Sequence, residues 1–348
     1  MTWCQYDSGT AEAVSDMRAM VCIEQGKPAR WEWREHDVRA LGPRDARVRI
    51  RAAGVNFPDR LASEGGYQVP TPPPYIPGLE AAGEVLEVGT EVTAYGRGDR
   101  VIIDGSSDLQ GLFAEECVVD ASLLFPLPPT MDFAAGSAFP VVYATGYHGL
   151  VQRGQLQPGE TLVVHGAGGG VGLSALQIGR ALGARVIGTV GDGSKAEVLR
   201  GMGFADIINV RETDVRQAIL DLTGGKGADV FYDPVGGDLF DISMRSIAKE
   251  GRILIIGATS GGYGNLKTNH ALVKEVSVTG VLYGAWKARK PLLAQENMTT
   301  LLGLAASGKI TPHLWKVMPM SQAPEALAAL GNREVIGKIV LIPDGAAA

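Results

Sequence analysis

The first 130 residues alternate short runs of apolar and polar side chains with clusters of glycine and proline. In residues 46–53, apolar and polar side chains follow each other with a period of two, which predicts a strand with one buried face. Short strands separated by Gly- and Pro-rich turns are typical of an antiparallel, barrel-like domain. We predict strands in this part of the chain at residues 18–24, 46–53, 83–89, 99–103 and 113–119.

From residue 139 to residue 284, short apolar strands alternate with amphipathic helices. Residues 161–165 form an apolar run, and the helix predicted after it carries Val171, Ala175 and Ile178 on one face. Strands that are apolar throughout belong to parallel sheets with helices on both faces. The pattern therefore predicts a doubly wound, Rossmann-type sheet.

The rest of the chain completes an α/β organisation with two domains. Residues 1–16 are small and polar, and we interpret them as a flexible leader. After residue 285 the pattern predicts only two helices and two strands, too few for a separate domain. We therefore expect residues 17–138 and 285–348 to form a catalytic barrel-like domain, and residues 139–284 to form a dinucleotide-binding domain.

Composition excludes several classes of function. The 348 residues carry a formal net charge of −6, and no dense run of Lys and Arg occurs, so a nucleic-acid partner is not expected. No apolar stretch reaches the roughly 18 residues that a membrane helix needs, and the amino terminus lacks a signal pattern. The three cysteines lie far apart without a CxxC pair, which favours a reduced, cytoplasmic protein.

The strongest local motif is the glycine-rich turn at residues 165–172, which follows a predicted strand and opens a predicted helix. Glycines in this setting permit a tight turn and a close approach of backbone N–H groups to a pyrophosphate, which the helix amino end also attracts. We expect a dinucleotide cofactor there, held by Ala167, Gly168, Gly169, Gly170, Val171 and Gly172.

The residues after the second strand of this domain decide between NAD and NADP. NAD sites carry an acid about 20 residues after the glycines for the ribose 2′-OH, and Asp192 is such an acid. Ser194 and Lys195 instead suit a 2′-phosphate, with Arg180 or Arg200 as helpers. Alternatively, Ser194 is a helix N-cap and Lys195 a solvated residue of the first turn. We favour NADP, bound as NADPH, because Asp192 lies one or two positions late.

Several further segments carry a family resemblance. They lie at residues 53–59, 76–83, 98–101, 139–147, 222–229, 232–238 and 335–340. With these segments the chain resembles the zinc-free quinone oxidoreductase branch of the medium-chain dehydrogenase/reductase superfamily, the relatives of ζ-crystallin. The resemblance runs from about residue 17 to residue 343 and implies that the barrel-like domain is GroES-like.

The resemblance also bears on metal. Zinc alcohol dehydrogenases of the superfamily have a Cys where Asn56 stands and a His where Leu79 stands. A catalytic zinc needs three protein ligands with N, S or O donors. Leucine offers no donor and asparagine is a poor zinc ligand, so we expect no zinc.

Without a metal, hydrogen-bond donors must stabilise the oxyanion that hydride addition creates on the substrate. The resemblance implies that Asn56 and Tyr67 supply them, and that the substrate is a quinone, an enone or an enal. It further implies that Thr145, Gly257 and Ala258 contact the cofactor. Related proteins pair through the edge strand near residues 276–282, so we expect a homodimer.

Two other functions remain open. The first is reduction of enoyl thioesters of CoA, for which Lys287, Arg289 and Lys290 would supply a basic rim. The second is a structural or RNA-binding role of the ζ-crystallin type. The acidic net charge counts against RNA, and the intact glycines at 169 and 172 favour a cofactor site in use.

Overall fold

The computed structural model describes residues 16–107 and 111–345. The predicted leader therefore lies outside the described residues, except for Asp16, where the first strand begins. The strands are β1 Asp16–Glu24, β2 Arg30–Asp37, β3 Asp45–Gly54, β4 Glu80–Val88, β5 Arg100–Asp104, β6 Glu116–Asp120, β7 Leu124–Pro126, β8 Thr161–Val164, β9 Arg185–Val190, β10 Ile207–Asn209, β11 Ala228–Asp233, β12 Ile247–Ile255, β13 Ser277–Gly280, β14 Leu314–Pro319 and β15 Lys338–Ile342.

The α-helices are few in the first half of the chain and alternate with strands in the second half. They are α1 Phe57–Ser63, α2 Phe133–Ser137, α3 Pro140–Tyr147, α4 Gly170–Ala181, α5 Gly193–Gly201, α6 Val215–Leu222, α7 Asp238–Ser246, α8 Thr268–Lys274, α9 Tyr283–Arg289, α10 Pro291–Ala306 and α11 Ala323–Gly331. No helix among the described residues is long and apolar enough to cross a membrane.

A parallel sheet forms the centre of the Rossmann-like domain, with the strand order β10-β9-β8-β11-β12-β13. Neighbouring residues of its strands point to opposite faces: Leu162 and Val164 of β8 join one hydrophobic cluster and Val163 joins another. Burial on both faces explains why a central strand such as β8 is apolar. The predicted doubly wound sheet is confirmed.

A separate GroES-like domain is built on a mostly antiparallel sheet with the order β14-β15-β3-β4-β5-β7, to which β6 adds beside β3. The two strands from the end of the chain belong here, because β15 pairs antiparallel with β3. The fold class predicted from the sequence is confirmed. The residue numbers at which one domain gives way to the other stay a prediction.

The two domains meet along a seam that contains the glycine-rich turn. Gly337, just before β15, forms a parallel bridge with Gly169, and its N–H donates to the carbonyl of Gly168 at 2.8 Å. Elsewhere, the Lys287 ammonium of α9 lies 2.8 Å from the carboxylate of Asp104 at the end of β5. The seam therefore places the glycine turn directly against the GroES-like domain.

Candidate active site

The turn between β8 and α4 is tightly packed on one side and open on the other. A Cβ atom at Gly172 would lie 2.3 Å from the carbonyl oxygen of Gly166, and one at Gly168 would lie 3.1 Å from the Lys195 side chain. Gly166 also has a φ of +58°, which favours glycine. At Gly169, in contrast, the nearest atom to an added Cβ is 3.5 Å away. The opening of the turn is therefore at Gly169.

The amino end of α4 lies in this opening, and no side chain caps it. The first N–H groups of a helix have no partner within the helix, and with the helix dipole they attract anions. The predicted cradle lies here as a continuous segment, composed of Ala167, Gly168, Gly169, Gly170, Val171 and Gly172. Its contact with a cofactor stays a prediction, but the space and the uncapped N–H groups fit a pyrophosphate.

Asp192, after the end of β9, is the N-cap of α5. One of its oxygens accepts from the Lys195 N–H at 2.9 Å and from the Ser194 hydroxyl at 2.7 Å. Burial alone would raise the pKa of Asp192, but these hydrogen bonds hold it below its usual value. The alternative that Ser194 is the N-cap is wrong, because Asp192 occupies that position and Ser194 lies inside the helix.

The ammonium group of Lys195 reaches the segment that precedes β15. It donates to the carbonyl oxygen of Arg333 at 2.5 Å and to that of Val335 at 3.1 Å. These bonds use two of its three donors and leave one for a ligand. Burial lowers the pKa of Lys195, Asp192 opposes this effect, and the charges of Arg211 and Arg333 lower the pKa further. The positive charges of Arg211 and Arg333 therefore act on the region around the Lys195 ammonium.

Arg211 and Arg333 are candidate phosphate ligands that the sequence interpretation missed. It named Arg180 and Arg200 instead. Arg180 lies over an aromatic ring and Arg200 donates to a backbone carbonyl of β10, while Arg333 itself donates to the Thr259 carbonyl at 3.2 Å. The position of Arg211 two residues after β10, at the carboxyl end of a parallel strand, was a usable signal. Arg333 lies 138 residues beyond Lys195, and nothing in its local sequence connects the two.

Gly257 and Ala258 follow β12, and Thr145 lies in α3. Because β8 and β12 are parallel strands on either side of β11, the loops that follow them lie at the same edge of the sheet. α3 packs closely against α4, since a Cβ at Gly146 would lie 3.0 Å from Ile178. The predicted cofactor residues are thus on elements that border the glycine turn, while their contact with the nicotinamide stays a prediction.

Asn56 is buried just before α1, and each polar atom of its side chain has a partner. Nδ2 donates to Glu80 Oε1 at 2.9 Å and to the Gly54 carbonyl at 3.2 Å, while Oδ1 accepts from the Lys338 ammonium at 2.7 Å. Both amide hydrogens are therefore used, and a bond to a substrate oxygen requires one of them to be exchanged. The catalytic role of Asn56 stays a prediction, and these contacts fix the loop.

Asp59, in the first turn of α1, fixes the backbone of the Asn56 loop. Its fully buried carboxylate accepts from the Asn56 N–H at 2.8 Å and from the Gly78 N–H at 3.1 Å. Burial raises the pKa of Asp59 to about 7, although these two bonds and the charge of Lys338 act in the opposite direction. Each carboxylate oxygen accepts from a backbone N–H group, so the side chain of Asp59 caps the loop.

Lys338 and Glu80 form an ion pair beneath Asn56, with side chains that are 5% and 0% exposed. Lys338 Nζ lies 2.7 Å from Glu80 Oε1 and donates to the Val55 carbonyl at 2.6 Å. The second oxygen of Glu80 accepts from the Val141 N–H at 2.8 Å, at the start of α3. The sequence interpretation noted the segment that contains Lys338 but gave the lysine no role.

Aromatic side chains lie on the loop after α1 and on α9. Tyr67, the second predicted catalytic residue, is half-buried on the loop after α1, and its role stays a prediction. Trp286 of α9 stacks on His148 with ring centroids 4.2 Å apart. Burial lowers the pKa of His148 to about 4, so the imidazole is neutral near pH 7.

The predicted basic rim for CoA is wrong for one of its three residues. Lys287 is buried, and its ammonium is held by the carboxylate and the carbonyl of Asp104. A lysine paired in this way is not available to a phosphate at the surface. Arg289 and Lys290 are exposed.

The residues at the positions of zinc ligands do not fit a metal. Asn56 is engaged as described, and Leu79 is buried with 3% exposure. Within residues 16–107 and 111–345, no group of three or more His, Cys, Asp or Glu side chains is arranged to hold a metal ion. Cys22 and Cys117 are both buried, and Cys4 lies outside the described residues.

Family comparisons agree with the two-domain fold. Residues 42–129 match the alcohol dehydrogenase GroES-like domain, and residues 170–298 match the zinc-binding dehydrogenase family. The name of the second family describes its members and is not a statement about metal in this chain.

Individual relatives cover nearly the whole chain. Quinone oxidoreductase-like protein 2 of Rattus norvegicus is 33% identical over 325 residues, which cover 93% of this chain and 91% of that protein. The quinone oxidoreductase of Pseudomonas aeruginosa is 34% identical, with coverage of 91% and 97%. A mycobacterial protein solved in complex with NADPH superimposes with a TM-score of 0.85 at 28% identity, and the match covers 94% of this chain and 100% of that one.

Proposed function

Because the chain belongs to the quinone oxidoreductase branch of the medium-chain dehydrogenase/reductase superfamily, we propose that it is a zinc-independent reductase that uses NADPH to reduce quinones or α,β-unsaturated carbonyl compounds. One observation carries the proposal. The uncapped amino end of α4 and the loop of Asn56 meet across Gly337 and Lys338. This arrangement joins an anion cradle to a loop of hydrogen-bonding residues.

The residues of the chain would bind the cofactor, orient the substrate and stabilise the oxyanion that forms on it. The glycine turn and the amino end of α4 would hold the pyrophosphate. Gly257, Ala258 and Thr145 would border the nicotinamide. When bound, the reduced cofactor NADPH supplies the hydride. A hydride delivered to the β-carbon of an enone moves an electron pair onto the carbonyl oxygen. Tyr67, or Asn56 after exchange of its bond to Gly54, would donate to that oxyanion. Water or Tyr67 would supply the proton that completes the two-electron reduction.

The test of this function is a spectrophotometric assay on EDTA-treated protein. Loss of NADPH absorbance is followed with a quinone, a 2-enal, an enone and a short enoyl-CoA as acceptors. We expect turnover with the quinone or the enone. Preference for the enoyl-CoA would replace the proposed substrate class, and binding of NADPH without turnover of any acceptor would contradict it. Loss of activity with EDTA that zinc restores would contradict metal independence.

Preference for NADPH over NADH is expected to depend on Arg211. Its guanidinium, together with that of Arg333 and the ammonium of Lys195, supplies positive charge where a 2′-phosphate is expected. A hydrogen bond between charged groups contributes roughly 1.5–3 kcal/mol. Arg211→Ala should therefore raise the KM for NADPH about 10- to 100-fold and change that for NADH less than about threefold. The control is Arg216→Ala, on the exposed surface of α6, which should leave both values unchanged. Equal effects on the two cofactors would contradict the assignment.

The proposed partner is a second copy of the chain. β13 is the last strand of the parallel sheet among the described residues, so its outer edge can pair with another strand. Exposed apolar side chains flank it, with Leu272 78%, Val273 75% and Leu282 61% exposed. We expect a dimer in sedimentation velocity at micromolar concentration and a monomer for Val273→Lys. Leu292→Lys, 74% exposed on α10, should remain dimeric. A monomeric wild-type protein would contradict the proposal.

A further inference from the structure

We propose that Lys338 is a positioning residue, which sets the loop of Asn56 against the glycine-rich cofactor turn; this inference rests on the proposed function. No feature of its local sequence distinguishes Lys338 from a solvated lysine at the start of a strand. In the structure the side chain of Lys338 is only 5% exposed. Its ammonium group therefore needs hydrogen-bond acceptors from the protein in place of water.

The ammonium of Lys338 makes a tripod with three acceptors. They are the Val55 carbonyl at 2.6 Å, Asn56 Oδ1 at 2.7 Å and Glu80 Oε1 at 2.7 Å. An ammonium has three N–H donors, so the tripod saturates it. Two of the three acceptors belong to consecutive residues of the loop, one through its backbone and one through its side chain. The lysine therefore fixes both the path of the loop and the rotamer of Asn56.

The other end of Lys338 lies against the cofactor turn. Its backbone follows Gly337, which bridges Gly169 and donates to the Gly168 carbonyl at 2.8 Å. A Cβ at Gly170 would lie 3.0 Å from Lys338 Cδ and 3.3 Å from the Gly337 carbonyl. One residue thus contacts the cofactor turn with its backbone and aliphatic stem, and the Asn56 loop with its ammonium.

Glu80 extends the connection to a third element. Its Oε1 accepts from both Lys338 and Asn56, and its Oε2 accepts from the Val141 N–H of α3. α3 also carries Thr145, a predicted cofactor residue. A Cβ at Gly54 would lie 2.5 Å from Glu80 Oε1, so the carboxylate packs directly against the backbone of Gly54. The ion pair of Lys338 and Glu80 therefore connects the Asn56 loop, the glycine-rich turn and α3, which must be aligned for hydride transfer.

If Lys338 aligns the reacting groups, its removal should affect kcat specifically. A misplacement of about 1 Å costs on the order of 100-fold in turnover, whereas cofactor affinity depends on the glycine turn itself. Removing the lysine should therefore lower kcat much more than it weakens NADPH binding. A purely structural ion pair would instead affect stability, and activity would return when stability is restored.

The test uses the double variant Lys338→Met with Glu80→Gln, which removes both charges together. Met matches the lysine stem, and Asn56 can turn its amide to accept from Gln at position 80, so the fold should be retained. We expect a urea unfolding midpoint near that of the wild type, a Kd for NADPH within about threefold, and a kcat about 100-fold lower. Amide hydrogen exchange of residues 55–59 in the cofactor-free protein should be faster. Lys338→Arg should recover kcat to within about tenfold of the wild type.

A matched control is the pair of Arg252, within β12, and Glu160, just before β8, which are joined by bonds of 2.7 and 2.8 Å. Arg252→Met with Glu160→Gln should lower stability and leave kcat within about twofold. If the Lys338 double variant keeps the wild-type kcat, or if NADPH affinity and kcat fall equally, the positioning role is wrong. If the wild-type protein itself shows no turnover, the proposed function has failed instead.

Discussion

Gly169→Asp is expected to weaken NADPH binding by about 100- to 1000-fold and to leave the fold intact. Gly169 has a φ of −82° and a ψ of 166°, which any residue adopts, and an added Cβ meets its nearest atom at 3.5 Å. Aspartate is moreover a favourable N-cap. Its carboxylate would lie beside the expected pyrophosphate, and two like charges about 4–5 Å apart repel by roughly 3–4 kcal/mol. Each ~1.4 kcal/mol is tenfold in Kd.

Fluorescence titration with NADPH measures this effect, and Gly169→Asn is its matched control. Asparagine has the size and capping ability of aspartate without the charge, so its Kd should rise about tenfold at most. Urea unfolding should show both variants to be at least as stable as the wild type. Equal weakening by the two substitutions would indicate a steric cause, and unchanged binding by Gly169→Asp would place the cofactor elsewhere.

Glu80→Ala is expected to lower the free energy of unfolding by about 3–5 kcal/mol. The substitution leaves the ammonium of Lys338 in the interior without its counter-charge, and breaking a buried ion pair from one side costs about that much. It also removes the acceptor of the Asn56 amide and of the Val141 N–H. Urea denaturation followed by circular dichroism measures the change.

The same strand provides the control for this prediction. Glu84 of β4 pairs with Arg51 at 2.7 Å, but the two side chains are 31% and 41% exposed. Exposed ion pairs contribute about 0–1 kcal/mol, so Glu84→Ala should change the unfolding free energy by less than about 1 kcal/mol. Similar losses for Glu80→Ala and Glu84→Ala would show that burial of the Lys338 pair has no special weight.

The sequence predicted those parts of the fold whose burial pattern is regular. The strands of the parallel sheet are apolar on both faces, so their positions were visible within a few residues. β2 was missed because its side chains are mostly exposed and it pairs with β1 in a two-stranded ribbon. α7 ends at Ser246, because Ile247 and Ala248 are buried in β12, and Glu250 of the same strand has a φ of +60°.

The site was predictable where the chemistry is local and not where it joins distant residues. The glycine turn is contained in eight consecutive residues and follows a strand, so its position was clear. The partners of Lys338 lie 282 and 283 residues away, and the carboxylate of Asp104 lies 183 residues from Lys287. Periodicity describes which face a residue occupies but not which distant element covers it. For that reason the partners of Lys195, Lys287 and Lys338 could be identified only from the structure.

The measurement that tests the central claim most directly is transfer of deuterium. The protein is mixed with an α,β-unsaturated ketone and NADPH carrying deuterium at the transferable C4 position, and the product is analysed by mass spectrometry and NMR. Direct hydride transfer predicts one deuterium at the β-carbon of the saturated ketone and a rate unaffected by EDTA. Reduced product without deuterium at that carbon, or no reduction of either an enone or a quinone by protein that binds NADPH, would contradict the account.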